Sequence, residues 1–223
     1  MIRAILVVAA LLSLSVPAAA GAEAPDAGKG FEPLFNGVNL AGWMVRSGHA
    51  RDWRVDNGEM VVTGRSAGAA RELRTAEEFG SFELMLEFKM DEGGNSGVFL
   101  RMGEDDAGLE IQLLDDYAPK HAELKDWQYT GALYGMAAPE RRVNREAGRW
   151  QEMVIRLRGQ ELSVTLNGHR IVETNLDEFI SDEEAATWQA PLQRVRGNLG
   201  LQNYGTETRF RNIGILRPLG NCD

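Results

Sequence analysis

The stretch Gly93–Asp116, GGNSGVFLRMGEDDAGLEIQLLDD, sets carboxylates, an amide and a guanidinium on two strand-like runs joined by a loop. Successive side chains of a strand point to opposite faces. Glu110, Gln112 and Leu114 therefore share one face, and Ile111, Leu113 and Asp115 the other. Arg101 ends the neighbouring VFLR run. A carboxylate beside an amide, with a guanidinium near, can grip a polyhydroxylated ligand and move a proton. The same spacing also describes a solvated sheet face with an ordinary Arg–Glu pair, since antiparallel sheets commonly keep one face wet. Asp115-Asp116 could work as acid and base, hold a hard cation, or simply open a turn. The loop leaving this strand carries His121, Trp127, Tyr129 and Tyr134. Trp127, Tyr129 and Tyr134 could stack on the C–H face of a sugar ring or fill the core, and His121 is either a site group or a surface histidine. Asn95, in GGNSG, is a candidate ligand amide or a tight-turn residue.

Other chemistries are absent. His49, His121 and His169 are far apart, and none sits in an H-x-x-x-H pattern. There is no G-x-S-x-G, P-loop or dinucleotide fingerprint. No organic cofactor is expected. A divalent cation stays open.

The elements that must position these groups read as short strands. Asn57-Gly58 is a hairpin turn between Trp53–Val55 and Met60–Val62. Phe82–Met90 alternates, with Phe82, Leu84, Leu86, Phe88 and Met90 on one face. Gly93–Ser96 reads as a turn, and Val98–Arg101 and Leu109–Leu114 as strands. Gln151–Leu157 follows; Leu162–Leu166 turns at Asn167-Gly168 into Arg170–Val172; Asn198–Gln202 and Arg209–Leu216 close the domain. Ser181-Asp182-Glu183-Glu184 is a helix N-cap signature, so a short helix is expected near Ser181–Trp188, inside a long connection. Many short strands with Gly/Asn turns mean an all-β, two-sheet antiparallel sandwich or jelly roll.

Residues 1–22 read as a signal peptide: Arg3, an apolar run Ala4–Leu14, then A-x-A cleavage patterns at Ala18–Ala20 and Ala20–Ala22. The run is too short for a retained spanning helix, and no lipoprotein cysteine follows it. Residues 23–30 read as a linker, 31–218 as one domain, and the destination as periplasmic or secreted. The net charge of −9 becomes −10 once Arg3 leaves, which argues against nucleic acid as a partner. No membrane anchor is expected, and the oligomeric state is open. The sole cysteine, Cys222, cannot form an internal disulfide, so the fold must rest on its core.

LFNGVNLAGW, FGSFELMLEFK, GGNSGVFLR, EIQLLDD, TGALYG, LNG and GLQNYG…FRNIGI occur in that order over about Phe31–Leu216. Together they resemble the 3-keto-disaccharide hydrolase domain family. The resemblance implies a concanavalin A-like jelly roll and cleavage of glycosides oxidised to a ketone at C3, with a carbohydrate as partner. A C3 ketone acidifies the C2 hydrogen, so the reaction asks for a base, an oxyanion stabiliser and a proton for the leaving oxygen. On this reading Glu110 or Asp115 is the base, Arg101 or a bound cation stabilises the enolate, and His121 serves the leaving group. Gln112, Asn95, Trp127, Tyr134 and Gln202, the last in GLQNYG, join Arg101 as substrate contacts. Tyr204 departs from the family pattern, in which many members carry histidine. A non-catalytic carbohydrate-binding module and a laminin G-like interaction domain are the rival readings of the same fold.

Overall fold

The computed structural model describes residues 30–64, 71–180 and 189–218. The expected leader, nearly all of the linker, the helix expected near Ser181–Trp188, and Cys222 lie outside the described residues. The strands are β1 (Glu32–Pro33), β2 (Trp43–Val45), β3 (Trp53–Asp56), β4 (Glu59–Thr63), β5 (Arg71–Phe79), β6 (Phe82–Met90), β7 (Asn95–Met102), β8 (Leu109–Leu114), β9 (Gln151–Arg158), β10 (Glu161–Leu166), β11 (His169–Asn175), β12 (Gly197–Asn203) and β13 (Glu207–Leu216). A short helix, α1, spans Gln189–Gln193. No described helix is long and apolar enough to cross a membrane.

The strands form two antiparallel sheets. The larger runs β11-β10-β9-β6-β13-β4-β3, with β1 also paired to β13. The smaller runs β2-β5-β12-β7-β8. The inner faces meet in one core. Leu84, Leu86 and Phe88 from β6 and Ile155 from β9 face Val98, Leu100, Leu109, Ile111, Leu113 and Leu201 from the smaller sheet. Each such side chain, fully buried, contributes about 1.5–3 kcal/mol. A one-residue slip would turn a whole strand's set outward, so this apolar alternation fixes the register. The fold is the expected concanavalin-like jelly roll.

Asn57-Gly58 and Asn167-Gly168 join β3 to β4 and β10 to β11. Both residues of each pair have positive φ (51° and 80°; 50° and 79°), the backbone that an Asn-Gly hairpin turn requires. β5 is the strand that apolar alternation alone does not reveal. In RELRTAEEF only Leu73 and Phe79 are large and apolar, while Glu72 and Arg74 are buried as an ion pair at 2.6 Å. Asn95, expected within a turn, is the first residue of β7.

Alternation also fails inside β7, at Arg101. Between the two paired positions Asn198↔Met102 and Gly200↔Phe99, β7 spends three steps where β12 spends two. The extra residue makes a bulge, and Arg101 there has φ +53°. Met102 is thereby brought onto the Phe99 side, its Sδ against Gly200, and Arg101 is turned away from that side.

Candidate active site

Glu110 and Gln112 stand on the outer face of β8, opposite the core residues Leu109, Ile111 and Leu113. Register supplies their neighbours. On β7, Phe99 pairs with Glu110 and Gly97 with Gln112. On β12, Gly200 pairs with Phe99 and Leu201 with Val98, so Gln202 falls beside Gly97. On β5, Glu72 pairs with Gln202 and Arg74 with Gly200. Two rows cross the sheet: Gln112, Gly97, Gln202 and Glu72, then Glu110, Phe99, Gly200 and Arg74. Loops close over part of this face. Arg74 donates to the Gly103 carbonyl at 2.9 Å and to Asp106 at 2.7 Å, and Ser47 donates to Glu72 at 3.2 Å.

The Glu110 side chain leans across β7. A Cβ built on Gly97 would lie 2.3 Å from Glu110 Oε1, so the carboxylate occupies the space a side chain there would fill. Beyond Gly97 lies the Gln202 amide, placed there by the β7–β12 register and near enough to favour the ionised carboxylate. Burial pushes the Glu110 carboxyl up from 4.5 to about 7, with the Gln202 amide pulling the other way. At neutral pH both protonation states are present, which suits a general acid or base. Gln202 is itself buried, and its Oε1 lacks a hydrogen-bond partner among the described residues. Gln112 Oε1 accepts the Leu113 N–H at 3.1 Å, leaving the Gln112 NH2 without an acceptor among the described residues.

The outer edge of β8 is covered by the loop that follows it. Gln112 N–H donates to the Ala132 carbonyl at 3.0 Å, and Tyr134 N–H to the Glu110 carbonyl at 2.9 Å, around an isolated bridge between Ile111 and Leu133. That register places Tyr134 directly beside Glu110. The Tyr134 ring meets Trp127 edge-on at 5.1 Å, and its hydroxyl accepts from Gln128 Nε2 at 3.0 Å. An aromatic pair therefore stands next to the carboxylate. Tyr129 instead is buried, donating to the His121 carbonyl at 3.1 Å with the Arg142 guanidinium over its ring at 3.4 Å.

Three expected site residues are not gathered here. The bulge turns Arg101 to the β9–β10 turn, where Nη1 donates to Gln160 Oε1 at 2.6 Å and to the Leu192 carbonyl at 3.2 Å, and Nη2 to the Gly159 carbonyl at 2.5 Å. It is 1 % exposed and ties the two sheets together at one end, so its expected place beside Glu110 is corrected. Asp115 lies five residues beyond Glu110, roughly 17 Å along an extended chain. Its carboxylate accepts the Gly93 N–H at 2.8 Å and the Tyr117 N–H at 3.3 Å. His121 is buried at the same end, Nδ1 donating to the Asp115 carbonyl at 2.8 Å. Asp116 accepts from the Thr130 N–H and hydroxyl at 3.0 and 2.8 Å; burial raises its proton affinity, and those hydrogen bonds oppose the rise. Among the described residues no three His, Cys, Asp or Glu side chains converge as a metal site. A cavity of about 460 Å³ does open at this end, lined by Asp91, Glu92, Asp115, Tyr117 and Glu146, but Glu110 does not line it.

Asn95 stands at the Leu114 end of the β7–β8 pair. Tyr204, just past β12, is exposed. Two residues of the site were missed in the sequence: Phe99, which flanks Glu110, and Gly97, beneath its carboxylate. Their signal was pairing, and a single strand's alternation does not carry it.

The pattern of the 3-keto-alpha-glucoside-1,2-lyase-like domain family matches residues 30–216. The chain is 25% identical over 228 residues to a Bacteroides thetaiotaomicron protein named 3-keto-disaccharide hydrolase, covering 83% of this chain and 78% of that one. A crystal structure from Parabacteroides distasonis, provisionally named a glycosyl hydrolase, is 29% identical with a TM-score of 0.73, covering 85% of this chain and 99% of that one. A carbohydrate-binding module from Bacillus subtilis shares the fold at 11% identity and a TM-score of 0.55, over 79% and 96% of the two chains.

Proposed function

The chain belongs to the 3-keto-alpha-glucoside-1,2-lyase-like domain family, and on that premise we propose that it cleaves glycosides carrying a ketone at C3, by removal of the C2 proton and elimination at C1. The observation that carries this reading is the Glu110 carboxylate, held half-buried between Gly97 and Gln202 with a proton affinity near neutrality. The carboxylate takes the C2 proton. The C–H electrons form an enolate whose charge rests on the C3 oxygen. The enolate then reforms the C3 carbonyl, a C1–C2 double bond forms, and the C1–O bond breaks. Water adding across C1–C2 converts this lyase step into net hydrolysis.

The face supplies the remaining roles. Gln112 lies two residues along the strand from Glu110, about 7 Å away. Its free NH2 can donate to the C3 oxygen while Glu110 reaches the C2 hydrogen. Fixed donors aimed at developing charge stabilise such oxyanions. The Tyr134 hydroxyl accepts from Gln128, so its own proton remains for the leaving oxygen. Trp127 and Tyr134 offer an aromatic surface to the sugar or the leaving group. Gln202 Oε1, buried and unpaired, can accept a substrate hydroxyl. Export of the mature domain to the periplasm or beyond belongs to the same reading, from the leader-like residues 1–22.

The test incubates the protein with matched aryl 3-keto-glucosides and aryl glucosides in D2O. The expected result is aglycone release from the keto substrate alone, with deuterium at C2 or a keto-glycal product. Equal rates on both substrates, with no C2 exchange, would move the assignment to direct glycoside hydrolysis, which needs two carboxyl groups flanking C1. Binding of either sugar without turnover would favour a carbohydrate-binding module.

A further inference from the structure

We infer that Gly97 is a positioning residue for Glu110: by lacking a side chain it opens a trough across β7 in which the carboxylate lies, and this trough, closed at its far end by Gln202, sets where the carboxylate stands. The inference rests on the proposed role of Glu110 for its catalytic meaning, but its physical content is testable without turnover.

The geometry is specific. A Cβ on Gly97 would lie 2.3 Å from Glu110 Oε1 and 3.0 Å from both Cδ and Cγ. Real Cβ atoms do not approach that closely, so Glu110 and a side chain at position 97 cannot both keep these places. The backbone does not demand glycine here. Gly97 lies within β7 and is not among the positive-φ residues. Gly64 and Gly131, by contrast, have φ of 65° and 87°. The missing side chain at position 97 therefore serves its neighbour rather than its own torsions. Gly200 shows the difference on the same face: a Cβ there would meet Met102 Sδ at 2.6 Å and Phe99 Cβ at 3.2 Å, and no carboxylate.

Without the trough the carboxylate must swing back along β8 toward solvent. It then loses both the burial that raises its proton affinity and the Gln202 amide. The other groups around it do not replace these effects. β7 presents Phe99 and β8 presents Gln112, neither of which titrates. The covering loop presents Tyr134. Three strands away on β5, Arg74 is shared by Glu72 at 2.6 Å and Asp106 at 2.7 Å, and Arg46 lies 3.8 Å from Asp106, so the two acids there are matched by two guanidinium groups. Asp115 and Asp116 lie beyond the strand end.

The experiment follows the Glu110 carboxyl by NMR titration of 13C-labelled glutamate, assigned with Glu110→Gln, in the full mature chain. In the parent it should titrate near neutrality. In Gly97→Ala its midpoint should fall by about one unit or more toward the ordinary carboxylate range. Gly200→Ala should leave it unmoved. Glu110→Asp, too short to cross the trough and requiring no change on β7, should titrate in the ordinary carboxylate range when followed with 13C-labelled aspartate, which keeps the test open if Gly97→Ala does not fold. On a keto substrate, Gly97→Ala should lower kcat by on the order of 10- to 100-fold with the acid limb of the pH profile displaced to lower pH. An unshifted midpoint in folded Gly97→Ala would overturn the inference, as would an equal fall in Gly200→Ala. A shifted midpoint in a protein whose parent turns over no keto substrate would uphold the trough and refute the proposed reaction.

Discussion

Arg101 Nη1 donates to Gln160 Oε1 at 2.6 Å, joining the smaller sheet to the β9–β10 turn of the larger one. Burial lowers the proton affinity of this guanidinium to about 10, with Asp177 opposing, so it remains charged at neutral pH. A charge held this way by carbonyl and amide oxygens is a structural clasp. Arg101→Met should cost roughly 2–4 kcal/mol of stability, because three acceptors lose their donor. Urea unfolding measures the loss. The folded fraction should keep near-parental kcat and KM on a keto substrate, and a specific collapse of kcat in stable protein would return Arg101 to the site.

Glu110→Gln should lower kcat/KM by roughly 100- to 10,000-fold. In the parent, kcat/KM should rise as pH rises through about 7, because a base must be ionised. Stability should run the other way. The folded proton affinity lies above the unfolded value, so Glu110 contributes its stability fully below the unfolded pKa of 4.5 and loses it as pH rises through about 7. The loss across that window is roughly 3 kcal/mol at most. Urea unfolding at pH 5 and pH 8 should show a smaller difference for Glu110→Gln than for the parent.

Asp115→Asn and His121→Gln should act on stability before rate. Each holds the loop after β8 through backbone partners: Asp115 the Gly93 and Tyr117 N–H groups, His121 the Asp115 carbonyl. Losses of about 1–2 kcal/mol are expected, with turnover within a few-fold of the parent. A loss of roughly 100-fold or more in turnover by a stable Asp115→Asn would make Asp115, not Glu110, the base.

Tyr134→Phe keeps the ring and removes the proton donor. It should lower kcat more than it raises KM, most for substrates with poor leaving groups. Trp127→Ala should do the reverse, raising KM by weakening a stacking surface worth about 0.5–1.5 kcal/mol. Matched series of aryl and alkyl leaving groups separate the two.

The strands that bury apolar residues on one face were legible because burial writes a period of two into the sequence; β6 is read to its end residues. β5 was not, because its outer face carries the ion pair Glu72–Arg74 and its inner face few large apolar groups. The outward face of Glu110 and Gln112 was legible from the same alternation. The place of Arg101 was not, since a bulge depends on the partner strand: the extra residue shows only when β7 is laid against β12. Gly97 was hidden for a related reason. Gly93–Ser96 reads as a turn and Val98–Arg101 as a strand, yet Gly97 between them lies in the strand and matters for a side chain on the next one.

The pairing of the loop after β8 with that strand, at Gln112–Ala132 and Tyr134–Glu110, also bears on turnover. The aromatic wall is fastened by its main chain to the strand that carries the carboxylate, so it cannot swing open without unzipping that edge. On this side, substrate and product must come and go past a fixed fence. The slow step should then belong to chemistry or simple escape, and kcat should respond to solvent viscosity only as far as product diffusion limits it.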